Sequence, residues 1–131
     1  MSEKFWLTPP DLFQSLNDEF HFDFDPCPYP RPADFNGVSV PWGNMNYVNP
    51  PFRHADAAFD AGPTAFVRKA IQEQQAGRAS VLLLPTVTYV NMLVAAGAVC
   101  RSMGRMHWIE AETGKIWKNY NNITMFILRA K

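Results

Sequence analysis

Four consecutive residues, Asn49-Pro50-Pro51-Phe52, carry the clearest chemical potential in the chain. The carboxamide oxygen of Asn49 and the backbone carbonyl of Pro50 are two hydrogen-bond acceptors on adjacent residues. Consecutive prolines fix φ near about −65° and hold those acceptors still. Two fixed acceptors suit one task in particular, receiving both hydrogens of a planar exocyclic amine. That localises a nitrogen lone pair otherwise delocalised into the ring and aims it at an electrophile. Phe52 adds a flat apolar face on which a base that has left its helix would stack. The ordinary use of such a tripeptide is a turn after a strand, so its surroundings must separate the two uses.

Those surroundings are favourable. Met45–Val48 is a short strand candidate that runs directly into Asn49. Upstream, Phe22 and Phe24 alternate with Asp23 and Asp25, which predicts another short strand ending at Pro26. Thr8-Pro9-Pro10-Asp11 reads as a helix start with Thr8 as N-cap, and Leu12, Phe13, Leu16 and Phe20 extend it over residues 9–20. From Cys27 to Asn44 the chain is loop-like. Residues 53–61 read as a connector. Gly62-Pro63-Thr64 opens a second helix closed by Gly77, and Ser80–Leu84 is a strand covered on both faces. Residues 87–100 suit a third helix, and Met106–Ile109 and Ile123–Leu128 are further strands able to pair as a C-terminal hairpin.

Strands alternating with helices predict an α/β sheet with right-handed crossovers. Ligands of such sheets sit beyond the carboxyl ends of the strands. Asp25-Pro26 and Asn49-Pro50 both fall there, so two polar loops should converge on one edge.

Composition narrows the function classes. The 131 residues are one domain's worth, 47% hydrophobic and 18% charged, which excludes a disordered tail. Twelve basic residues balance twelve acidic ones, so no overall field steers the molecule to nucleic acid, although a local patch would suffice. Cys27 and Cys100 form neither a zinc pattern nor a disulfide framework and read as free thiols in a reducing cytoplasm. The three histidines, at 21, 54 and 107, show no paired ligand spacing, so no metal site is expected. No stretch is long enough for a membrane helix, and the N-terminal residues do not resemble a secretory signal.

Taken in order, Trp6-x-Thr8-Pro9, Phe24-Asp25-Pro26-Cys27, Asn36-Gly37-Val38, Trp42, Asn49-Pro50-Pro51-Phe52, Leu83-Leu84-Pro85-x-x-Thr88 and Gly104-Arg105 resemble the phage-type DNA adenine-N6 methyltransferases (Dam-like). The likeness spans roughly residues 5–128, and its motifs are short, so their shared order carries it. It implies a compact, shortened Rossmann-like methyltransferase sheet with flanking helices, occupying residues 1–131 as a single domain. It implies S-adenosylmethionine as cofactor and DNA as partner, with activity in a bacterial host cytoplasm. Asn49, Pro50, Pro51 and Phe52 would be the catalytic loop, and Trp6, Thr8, Pro9, Asp25 and Pro26 would contact the cofactor. Asp25 in particular would take its amino-acid end.

One departure stands out. Cys27-Pro28-Tyr29-Pro30 follows Asp25-Pro26 where the family's cofactor loop has glycines, and no glycine occurs before Gly37. No acidic partner for the ribose is evident, and Asp34 reads more simply as a surface-loop aspartate.

Arg53 and His54 after the catalytic loop, Arg105, and the cation-aromatic-cation run Lys115, Trp117 and Lys118 are candidate nucleic-acid contacts. Each is equally at home as solvated surface, and Trp42 and Trp108 read as core. An incomplete sheet would leave an edge uncovered, which makes a homodimer a further expectation. Two rival readings stay open. The same loop suits methylation of RNA or of a protein glutamine, and a shortened fold suits a catalytically inactive DNA-binding module.

Overall fold

In the computed structural model, residues 6–51, 59, 61–85, 89–116 and 122–131 are described. Nine elements follow in order: β1 (Trp6–Leu7), α1 (Pro10–Phe20), β2 (Met45–Val48), α2 (Pro63–Gln75), β3 (Ala79–Pro85), α3 (Tyr89–Ala95), β4 (Val99–Arg105), β5 (Ile109–Glu110) and β6 (Asn122–Leu128). The α/β expectation holds. Strands β2, β3, β6 and β4 form one sheet in that order, and β1 pairs separately with β5. β2 and β3 are parallel, whereas β6 runs antiparallel to both β3 and β4.

The wholly apolar β3 is explained by what lies on each side of it. Leu82 and Leu84 face a core with Val48, Phe126 and Leu128, roofed by Phe66, Val67 and Ala70 of α2 and Leu93 of α3. Val81 and Leu83 face a second core with Tyr47, Ile123, Met125 and Ile127, closed by Leu16 and Phe20 of α1 with Met106 and Trp108. A strand buried on both faces has no position at which a polar side chain is cheap.

Several expected elements change. Thr8 is not a side-chain cap: Pro9 occupies the N-cap position of α1, and the Thr8 hydroxyl bonds to Tyr47 instead. The strand expected at Phe22–Phe24 shrinks to one parallel bridge between Phe24 and Asn46. Helix α3 stops at Ala95, because Gly97 at φ 91° turns the chain and Ala98 N–H closes onto Leu93 O at 2.9 Å. The residues read as the end of that helix form β4 instead, which, not Met106–Ile109, is the partner of β6. An edge strand with its first four residues exposed carries no apolar alternation to announce it. Met106 and Trp108 point into the second core, and Ile109–Glu110 turns aside to pair with β1.

A buried carboxylate ties α2 to the loop before β2. Glu73 accepts from Trp42 N–H at 3.1 Å and pairs with Lys69 at 2.9 Å and Arg78 at 2.7 Å. Burial alone would raise its pKa, but the bonds from Lys69, Arg78 and Trp42 N–H outweigh it and hold the carboxyl below the ordinary value. A carboxylate with a depressed folded pKa adds stability above its unfolded pKa, and that stability is lost as pH falls through the folded value. Glu73→Gln should therefore cost about 1–3 kcal/mol at pH 7. Denaturant melts at pH 7 and pH 3 check this, and a gap that fails to narrow at pH 3 would refute it.

Candidate functional site

A cavity of about 410 Å³ opens where the carboxyl ends of the parallel segments meet. Its walls include Asp25, Pro26 and Cys27, which follow the bridge at Phe24, and Asn49, Pro50 and Pro51, which follow β2. The two loops expected to converge do so. The reason is backbone pairing: Asp23 N–H donates to Met45 O and Tyr47 N–H to Phe24 O, both at 3.0 Å, which lays the first segment along β2.

The N-terminal segment closes one side. Trp6, Leu7, Thr8 and Pro10 line the cavity, held there by the pairing of Trp6 and Leu7 with Glu110 and Ile109. Pro9 makes no part of the wall, although its carbonyl accepts from Phe13 N–H at 3.0 Å in starting α1. The Asn49 amide nitrogen donates to Trp6 O at 2.9 Å. A backbone carbonyl only accepts, so the NH₂ end of Asn49 must face Trp6, leaving the carboxamide oxygen as an acceptor on the cavity wall.

Asp25 is the only acid among the described lining residues. Burial pushes its carboxyl up to about 6, against the opposing pull of a 2.8 Å bond from Cys27 N–H. That bond, reaching two residues along the chain, is the local turn by which aspartate redirects a loop. The Tyr47 phenol, also on the wall, has its pKa raised chiefly by burial, with the bond to Thr8 acting against the rise.

The missing glycines have a substitute. At Gly37 a Cβ would lie 2.0 Å from Pro26 O, so the chain can pass over the Asp25-Pro26 turn only because position 37 lacks a side chain. Trp42, through its indole N–H, donates to Gly37 O at 2.7 Å and fixes the crossing. Farther out, Arg31 donates to Phe35 O at 2.9 Å, and its guanidinium lies 4.9 Å from the ring centre of Phe59. Tyr29 and Phe59 are exposed aromatics on this wall.

Of the residues singled out from sequence, Asn49, Pro50, Pro51, Trp6, Thr8, Asp25 and Pro26 are brought together on the cavity. Arg105 and Lys115 are exposed and line no part of it, while Asp34 is an exposed loop residue at φ 62°. Phe52, Arg53, His54, Trp117 and Lys118 lie outside the described residues, as does most of the 53–61 connector. Among the described residues no group of three His, Cys, Asp or Glu side chains is placed to hold a metal, and no helix is long and apolar enough to cross a membrane. Tyr47, Phe13 and Gly37 were not foreseen as site residues. The signal for Tyr47 was present: it precedes Asn49 by two residues, and side chains two apart on a strand share a face.

Comparison with protein-family models, curated proteins and solved structures finds no match for this chain.

Two outcomes follow from this geometry. Gly37→Ala should cost about 1–3 kcal/mol, the usual range for forced overpacking, and thermal melts will read it; an unchanged midpoint would show that the crossing is loose. For Asp25, a raised folded pKa favours the protonated form. The matching stability is present below the unfolded pKa and lost as pH rises through about 6. Asp25→Asn should therefore raise the melting temperature at pH 8 and leave it nearly unchanged at pH 3.5. An equal shift at both values would show that the carboxylate is not under strain.

Proposed function

We propose that the chain is an S-adenosylmethionine-dependent methyltransferase acting on the exocyclic N6 of adenine in DNA. The observation that carries this reading is Asn49, whose amide nitrogen is committed to Trp6 O while its oxygen is left on the cavity wall. A turn residue has no use for that arrangement, whereas an amine substrate needs it.

The residues present suit the cofactor. A cavity of about 410 Å³ lies within the range of small-molecule sites. Asp25 supplies a half-buried carboxylate for a cationic group, and Gly37 over Pro26 provides the close backbone approach usually left to glycines. Trp6, Phe13 and Phe66 offer aromatic faces to a purine or to a positive charge. When bound, S-adenosylmethionine supplies an electrophilic methyl group and leaves as the thioether. The protein's part is positioning. Asn49 Oδ1 and the Pro50 carbonyl would each take one hydrogen of the adenine amine, turning its lone pair out of conjugation. The proline pair keeps both acceptors still as the base enters. Tyr29 and Phe59 are suited to stack a base that has left its helix.

A shortened Rossmann-like sheet is the fold that goes with this proposal. Three parallel chain segments, at Phe24, β2 and β3, deliver their carboxyl ends to the cavity side, where ligands of parallel sheets bind. The RNA and glutamine alternatives share the same amine geometry and become outcomes of the test.

Unmethylated DNA, RNA and a glutamine-bearing peptide would each be incubated with protein and S-adenosylmethionine, then digested and analysed by mass spectrometry. N6-methyladenine from DNA is expected, falling at least about a hundredfold in Asn49→Ala, the scale of losing a positioning acceptor. Methylated RNA or peptide would move the substrate assignment. No product from any substrate, with no binding of the cofactor, would favour a DNA-binding module.

A further inference from the structure

The N-terminal segment lies against β2 through two side-chain bonds that share one geometry. Trp6 O accepts from Asn49 Nδ2 at 2.9 Å, and Thr8 Oγ1 bonds to the Tyr47 hydroxyl. Trp6 and Thr8 are two residues apart, as are Tyr47 and Asn49, so the paired contacts fall on one side of each extended segment. Two anchors at that spacing fix both the position and the direction of the strap.

The Tyr47 end is rigid. Its ring is buried, meets Phe13 edge-on at 5.0 Å, and is tilted against Phe22 at 5.1 Å. Beyond Leu7, the strap has only the two-residue pairing with β5 and these two bonds to hold it over the cavity. A two-residue ladder is a weak anchor by itself. If Thr8 were released, the Trp6 carbonyl would be free to drift, and the Asn49 amide would lose the partner that sets its orientation.

We propose that Tyr47 and Thr8 are positioning residues which, by pinning the Trp6–Thr8 strap, hold the Asn49 carboxamide in its working orientation. The inference rests on Asn49 being the amine acceptor of the proposed reaction, but the orientation itself can be measured without any reaction. Tyr47→Phe and Thr8→Val each delete one hydroxyl and keep the packing volume, and neither touches Asn49. Hydrogen exchange of the Asn49 side-chain amide would be followed by NMR in the full-length protein, with its resonance identified by loss in Asn49→Ala. Asn46 is an internal control on the same strand, since its amide donates to Gly43 O at 3.0 Å and Ala79 O at 2.9 Å. Exchange at Asn49 should quicken about tenfold in each variant, the scale of one lost hydrogen bond, while Asn46 stays within about twofold. Unchanged exchange at Asn49 overturns the proposal, and so does a parallel rise at Asn46, which would signal general loosening. In the methylation assay both variants should lose kcat about tenfold with little change in the cofactor KM. Wild-type protein that shows the exchange pattern but methylates nothing would sink the methyl-transfer reading and leave the strap's hold on Asn49 intact.

Discussion

A single buried carboxylate, Glu73, anchors the half of the molecule that has the least regular structure. From Asp25 to Pro41 the chain contains no helix or strand, yet it builds one wall of the cavity. Its support runs as a relay. Glu73 on α2 holds Trp42 N–H, the Trp42 indole holds Gly37 O, and Gly37 lies against the carbonyl of Pro26 beside Asp25. Each step is a directional bond or a contact with no slack, so a helix on one face of the sheet sets the shape of a loop at its end. Lys69 and Arg78 keep Glu73 charged, which keeps it a strong acceptor.

The sheet contributes a second constraint. Parallel strands deliver their carboxyl ends to the same side, so pairing Phe24 with Asn46 and β2 with β3 necessarily brings Asp25 and Asn49 to one edge. That convergence costs stability. A carboxylate at Asp25 is held where burial disfavours its charge, and only one local backbone bond offsets the penalty. Glu73 has three bonds to compensate its burial. Stability by itself would replace Asp25 with a neutral residue, and a ligand bearing positive charge is a physical reason to keep it.

The strap from Trp6 to Thr8 joins these two constraints to the C-terminal half. Its ladder partner, Ile109–Glu110, lies about a hundred residues downstream, beyond Met106 and Trp108, which pack under the sheet. The second core therefore fixes where β5 emerges and, through β5, where the Trp6 carbonyl sits. Apolar packing on one face of the sheet thus reaches the polar chemistry at its end by way of two short strands.

What the sequence by itself determined was local. The apolar run of β3, the helical spacing of α1 and α2, and the Asn-Pro-Pro turn after β2 are each encoded within a few residues, so they are legible without the fold. The convergence of Asp25 and Asn49 was legible too, because it follows from strand direction alone. Only the tertiary structure decided the rest. Residues 99–105 became an edge strand through pairing with β6, although their exposed side chains carry no alternation. Thr8 exchanged a cap for a bond to Tyr47, 39 positions away. Gly37 took the place of a glycine loop because Pro26 crosses beneath it. In each case the deciding partner is distant along the chain, and short-range propensity holds no information about a contact whose other half lies elsewhere.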